Sequence, residues 1–197
     1  MMGMVALMLA AAGAAAEPCA LQGWSNDTDP AGLRVHAGPA LASAEIGRLP
    51  PAIHGGDSYA PNFDIVDVRG GWVKIARADD LDKPGKARAV FRGTGWVHAS
   101  RVAFTVQSEV GRSAPDLRGK PIVRASGWLG DAGGTGQPIV ACAGGWALLR
   151  YRLPGEVRAL VGARSGEAWF GGICGNQHTT CDSLDETESR SGRSPTG

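Results

Sequence analysis

Apolar and polar positions alternate in short runs along most of this chain, and no stretch sustains a 3.6-residue apolar period. That pattern predicts half-buried strands and few, short helices. Leu33 to His36 and Glu45 to Leu49 read as two strands around a loop at 37–44, with Pro50 and Pro51 ending the second. Phe63 to Val68 is a β-rich run that the Gly70 and Gly71 pair turns into Trp72 to Ala76, which predicts a hairpin. Ala89 to Phe91 and Gly95 to His98 pair across Gly93 in this reading, while the charged stretch from Asp79 to Arg88 reads as a solvated loop. Later runs at Ile122–Val123, Ile139–Cys142, Trp146–Tyr151, Val157–Val161 and Ala168–Ile173 continue the β pattern.

The pattern repeats itself. An Ile-Val pair begins seven residues before Trp72 and again seven residues before Trp146. From Trp72 to Trp96 is 24 positions, and from Trp146 to Trp169 is 23. Self-similarity of this kind predicts two related β modules in tandem. Residues 107–119, rich in Ser, Arg, Pro and Gly, read as the linker between a first module at 32–106 and a second at 120–181. A polar lead-in at 17–31 precedes them, and a tail at 182–197 is too poor in apolar residues to offset its ordering entropy, which predicts disorder there.

Composition adds a compartment. Residues 1–16 hold an apolar and small-residue run ending in Ala14 to Ala16, too short to span a bilayer, and read as a signal peptide with its cleavage site before Glu17. The expected mature protein is periplasmic or secreted, with no membrane attachment after cleavage. A formal charge of +1 over 197 residues argues against a nucleic-acid partner, which requires a basic stripe. Four cysteines in an exported chain predict two disulfides, and four allow three connectivities. The Gly175-Asn176 step favours a local Cys174–Cys181 bond, which leaves Cys19 to pair with Cys142.

Leu33 to Pro39, Ile46 to Leu49, Gly71 to Ile75 and Gly93 to Ser100 fall in an order that resembles the bacterial SH3-like domain. The resemblance covers about residues 32–103. Arg34 and His36 stand where asparagine and arginine are commoner in that family, and the loops at 52–62 and 79–90 are longer than usual. The second module shares only the Trp-centred half, residues 137–173. The resemblance implies an all-β protein of two small SH3-like barrels in tandem, the second divergent. It also implies a non-catalytic role in binding cell-wall glycan or peptide, or an envelope protein. Trp72, Trp96, Trp146 and Trp169 are then packing pieces of the barrels. Exposed aromatics of the long loops, Tyr59, Phe63 and Trp128, are the candidate ligand contacts.

Other chemistry is weakly signalled. Cys174, His178 and Cys181 form a C-x3-H-x2-C pattern, but zinc needs a fourth ligand and an oxidising compartment favours the disulfide. Asp79, Asp80 and Asp82 are offset by Arg77, Lys83, Lys86 and Arg88, which argues against calcium. The Gly130–Gly136 loop lacks the Lys-Ser/Thr pair of a P-loop and opens no helix, so it reads as a flexible barrel loop. A degenerate cell-wall hydrolase would need Cys142 as nucleophile, yet no helix follows it and His36, His54, His98 and His178 signal no partner. No catalytic residue, metal or cofactor is expected, and the alternative to direct wall binding is an accessory or inhibitor protein of the envelope. The oligomeric state is left open.

Overall fold

In the computed structural model, the residues described are 17–52, 60–83, 86–127, 130–131, 138–175 and 177. They form an almost entirely β structure, with one 3-10 turn at Ala99–Arg101 and no α-helix among the described residues. The signal peptide and tail expected at 1–16 and 182–197 lie outside that set, as do Tyr59, Trp128 and Cys181.

The first seven strands are β1 (Leu21–Ser25), β2 (Leu33–His36), β3 (Glu45–Leu49), β4 (Asn62–Arg69), β5 (Trp72–Lys83), β6 (Lys86–His98) and β7 (Val102–Ala103). They make one curled sheet, a half-barrel, in the order β3-β2-β6-β5-β4-β1-β7. Gly70 and Gly71 take φ of 54° and 83°, the left-handed pair that a tight two-residue hairpin requires, and place Arg69 opposite Trp72. Bulges at Phe63/Asp64, Ile65/Asp67 and Ala76/Ala78 interrupt the ladders and help the sheet curl.

Two segments differ from the sequence reading. The lead-in contains β1, held between β4 and β7, because Leu21 and Trp24 bury and Gly23 lets the chain pass close to the Ala103 carbonyl. The charged stretch read as a loop from Asp79 to Arg88 is strand at 79–83 in β5 and at 86–88 in β6. Its charges pair across the ladder: Asp80 lies opposite Arg88, with the guanidinium 2.9 Å from the largely buried carboxylate.

The remaining strands are β8 (Thr105–Val106), β9 (Val110–Arg112), β10 (Pro121–Ala125), β11 (Gly130–Asp131), β12 (Ile139–Ala143), β13 (Trp146–Arg152), β14 (Ala159–Val161), β15 (Ser165–Phe170) and β16 (Ile173–Cys174). Six of them form a second sheet in the order β12-β13-β15-β9-β10-β14, and β11-β8-β16 make a small third one. Read from one edge, β10-β9-β15-β13-β12 repeats the order and antiparallel pairing of β3-β2-β6-β5-β4. In both, the paired Trp residues hold matching places: Trp96 lies opposite His36, and Trp169 opposite Arg112.

That correspondence puts the opening strand of the second sheet at β9, inside the stretch read as a linker. Val110 is buried, and a Cβ on Gly111 would meet Ala168, Phe170 and Val123 at 2.7 Å. Arg112 is also buried, and its guanidinium donates to the Gly119 carbonyl at 3.2 Å. A run with one Val and one Gly gives little apolar signal, so the sequence looked loop-like.

The core is continuous. One apolar cluster extends from Leu21 and Phe63 through Phe104 and Val106 to Leu149 and Phe170, crossing both large sheets. The Cys19–Cys142 disulfide, expected from the cysteine count, joins the N-terminal segment to β12 across 123 positions. Backbone bonds flank it, with Ala20 N–H donating to the Gly144 carbonyl and Gly144 N–H to that of Pro18. Cys174 is also disulfide-bonded. No helix among the described residues is long and apolar enough to cross a membrane.

Candidate functional site

Strand alternation decides what faces the site. On β2, Leu33 and Val35 enter the core, so Arg34 and His36 point to the other face. On β5 and β6, Val73, Ile75 and Val97 take the core side, which turns Trp72, Lys74, Trp96 and His98 outward. Although on that outer face, Trp72 and Trp96 are only 7% and 6% exposed, and neither belongs to the apolar core clusters. Polar side chains cover them instead. Arg69 and Lys74 lie 5.6 and 5.9 Å from the centre of the Trp96 ring, a cation–π arrangement. Trp72 stands between two imidazoles, edge-on to His36 at 5.3 Å and to His98 at 5.4 Å.

Beside Trp72 opens a cleft of about 410 Å³, lined by β2, the 37–44 loop, β3, the 3-10 turn and the turn before β2. His36 is held by Nδ1 donating to the Ser43 carbonyl at 2.9 Å, which fixes its ring against the loop. Nδ1 of His98 sits 2.7 Å from Ser100 Oγ and accepts from Ser100 N–H at 3.4 Å, so His98 caps the 3-10 turn. Arg48 is bound to both carboxylate oxygens of Glu45, at 3.0 and 2.8 Å, and donates to the Ala31 carbonyl at 2.9 Å. Asp27 accepts from Asp29 N–H and lies 3.8 Å from the Arg101 guanidinium, while Asp29 accepts from Ala31 N–H. Both carboxylates thus brace the turn. The Arg34 side chain, exposed on the same wall, makes no hydrogen bond or ion pair among the described residues. Leu41 projects from the loop with 79% of its surface exposed.

The residues singled out from sequence fare differently. Phe63 is not an exposed contact: it is 3% exposed, opposite Ala78, and belongs to the core cluster. Tyr59 and Trp128 lie outside the described residues. Trp146 and Trp169 are half-buried at the start of β13 and within β15. Cys142 is bonded to Cys19 and is not a free thiol. No group of three or more His, Cys, Asp or Glu side chains among the described residues is placed to hold a metal, the acidic run at 79–82 included so far as it is described.

His36, His98, Arg34 and Leu41 form the cleft, and the sequence reading passed over them. A usable signal was there: Arg34 and His36 share a parity opposite to Leu33 and Val35. That Trp72 lies across from His98 follows from the β5–β6 register. The second sheet carries no copy of the site. Arg112 replaces His36, the buried Val110 replaces Arg34, and Gly171, two residues after Trp169, replaces His98.

Comparison of the chain with protein-family models, curated proteins and solved structures finds no match.

Proposed function

We propose that this protein is an exported, non-catalytic binding module that takes a short peptide in the cleft beside Trp72, with the cell wall or an envelope protein as the peptide's source. The observation that carries this reading is the asymmetry between the two sheets. Both keep the paired tryptophans, but only the first surrounds its Trp with His36, His98, Arg34 and the exposed Leu41. Residues needed only for packing would serve equally in both. An open cleft with an aromatic floor and several polar groups suits an extended peptide better than a small apolar ligand.

The repeated strand order supports reading the protein as two SH3-like barrels packed in tandem, the second divergent. Export accords with the Cys19–Cys142 bond, since disulfides persist in oxidising compartments. A hydrolytic reading finds less support. The nearest nucleophile–base contact in the cleft, Ser100 to His98, is a cap within one turn, and among the described residues no carboxylate partner orients His98 as a base.

Co-sedimentation with purified sacculi, alongside nuclear magnetic resonance titration with peptides released from them, tests the reading. The expected result is retention above that of an unrelated exported protein of similar charge, with resonance shifts confined to Trp72, His98 and the 37–44 loop. Retention at the control level with no shift at those positions rejects it.

A further inference from the structure

We infer that Arg34 receives a carboxylate at the C-terminus of a bound peptide, with the peptide's apolar last side chain resting on Leu41; this deepens the peptide-binding reading of the cleft and rests on it. The argument begins with the charges that line the site. Arg48 is neutralised by two bonds to Glu45, Arg101 faces Asp27, and both imidazoles use Nδ1 on the protein itself. Arg34 alone among the lining arginines has no partner among the described residues.

Its position sharpens the point. Arg34 lies directly opposite Arg48 in the β2–β3 ladder, so the two arginines share one face, and Glu45 is bonded to Arg48. Like charges placed directly across a ladder are unfavourable, and an incoming anion relieves that cost. The planar guanidinium fork matches a carboxylate with two parallel hydrogen bonds. Asp27 and Asp29 line the same cleft and disfavour a doubly charged phosphate, whereas their carboxylates tolerate the N–H groups of a peptide. A large apolar side chain as exposed as Leu41, on the loop bordering that cleft, supplies the surface for the residue bearing the carboxylate. Where Arg34 would recur in the second sheet, Val110 is buried, so the free cation belongs to this cleft and not to the repeat.

The test uses the purified disulfide-bonded protein and three probes: acetyl-Ala-Leu with a free carboxylate, its amide, and acetyl-Leu-Glu amide, which offers only a side-chain carboxylate. Nuclear magnetic resonance titration reads affinity and location together. The free acid is expected to shift the Trp72 and His98 signals and to bind about tenfold more tightly than either amide. Arg34→Gln should bring the acid down to the affinity of its amide and leave the amide unchanged, and Arg34→Lys should restore part of the difference. Equal binding of acid and amide at the cleft overturns the carboxylate assignment while the peptide-site reading stands. Equal binding of the side-chain carboxylate overturns the C-terminal assignment. Absence of any shift at Trp72 and His98 with all three probes overturns both readings.

Discussion

The side-chain amide of Gln177 pairs with the backbone of Ala60, 117 positions earlier, as a β-strand would. Its Nε2 donates to the Ala60 carbonyl at 2.8 Å and its Oε1 accepts from the Ala60 N–H at 2.9 Å. The same Nε2 also donates to Asn62 Oδ1, and Asn62 Nδ2 donates to the Gly175 carbonyl at 3.0 Å. Ala60 is buried, so no water replaces these bonds readily. Gln177→Leu leaves the N–H and carbonyl of Ala60 unpaired and should destabilise the fold by about 1–3 kcal/mol. Urea denaturation followed by tryptophan fluorescence measures it, and a change within a few tenths of a kcal/mol would show the contact to be incidental.

Removal of the Cys19–Cys142 bond, in a Cys19→Ser, Cys142→Ser double variant, should cost about 4–5 kcal/mol in the chain-entropy model, because the closed loop is long. The double variant should also lose most of its sensitivity to mild reductant. Equal denaturation midpoints for the double variant and the oxidised parent would contradict this.

Gly111 distinguishes a strand from a linker. A methyl group there meets three core side chains at 2.7 Å, so Gly111→Ala should destabilise by about 1–3 kcal/mol through overpacking. Gly127, where nothing lies within 4 Å of an added Cβ and φ is not positive, provides the control, and Gly127→Ala should be close to neutral.

Burial pushes the Tyr151 phenol above its ordinary value of 10.0, while its hydroxyl donates to the Ala163 carbonyl at 3.1 Å. The folded state thus holds the neutral phenol more tightly than the unfolded chain does. Its contribution to stability is fully present below about pH 10 and is lost as pH rises through the raised folded-state value. Tyr151→Phe should cost about 0.5–1.5 kcal/mol at neutral pH and flatten the alkaline loss. Parallel denaturation curves at pH 8 and above pH 10 decide it, and identical alkaline losses in both proteins would refute the assignment.

How much of this was legible in the sequence varies with the kind of signal. The β class and the Gly70–Gly71 hairpin were readable, because period-two alternation and paired glycines are local signals, and the Cys19–Cys142 pair followed from setting Cys174 and Cys181 together. Strands β1 and β9 were not. Each has a Gly in its middle and few β-branched residues, and each becomes a strand because neighbouring strands approach that Gly closely. The hairpin arms at 79–83 and 86–90 were hidden by charges that cancel only once Asp80 and Arg88 face each other. Phe63 misled for the opposite reason: a large aromatic beside a long loop is as easily a core residue as a contact. The cleft depends on which side of a curled sheet Trp72 occupies, a property of the whole sheet and not of any motif.

The two ends of the described chain cross over. Cys19, at the start, is fastened to β12 of the second sheet, and Gln177, at the end, docks on Ala60 beside the first. Each half therefore carries the other's closing piece, and a chain cut between them yields two incomplete fragments. A protease nick in the exposed turn around Arg118 would leave the pieces covalently united, migrating as one band until a reductant separates them. The disulfide thus makes a break in the backbone survivable wherever oxidising conditions keep it closed.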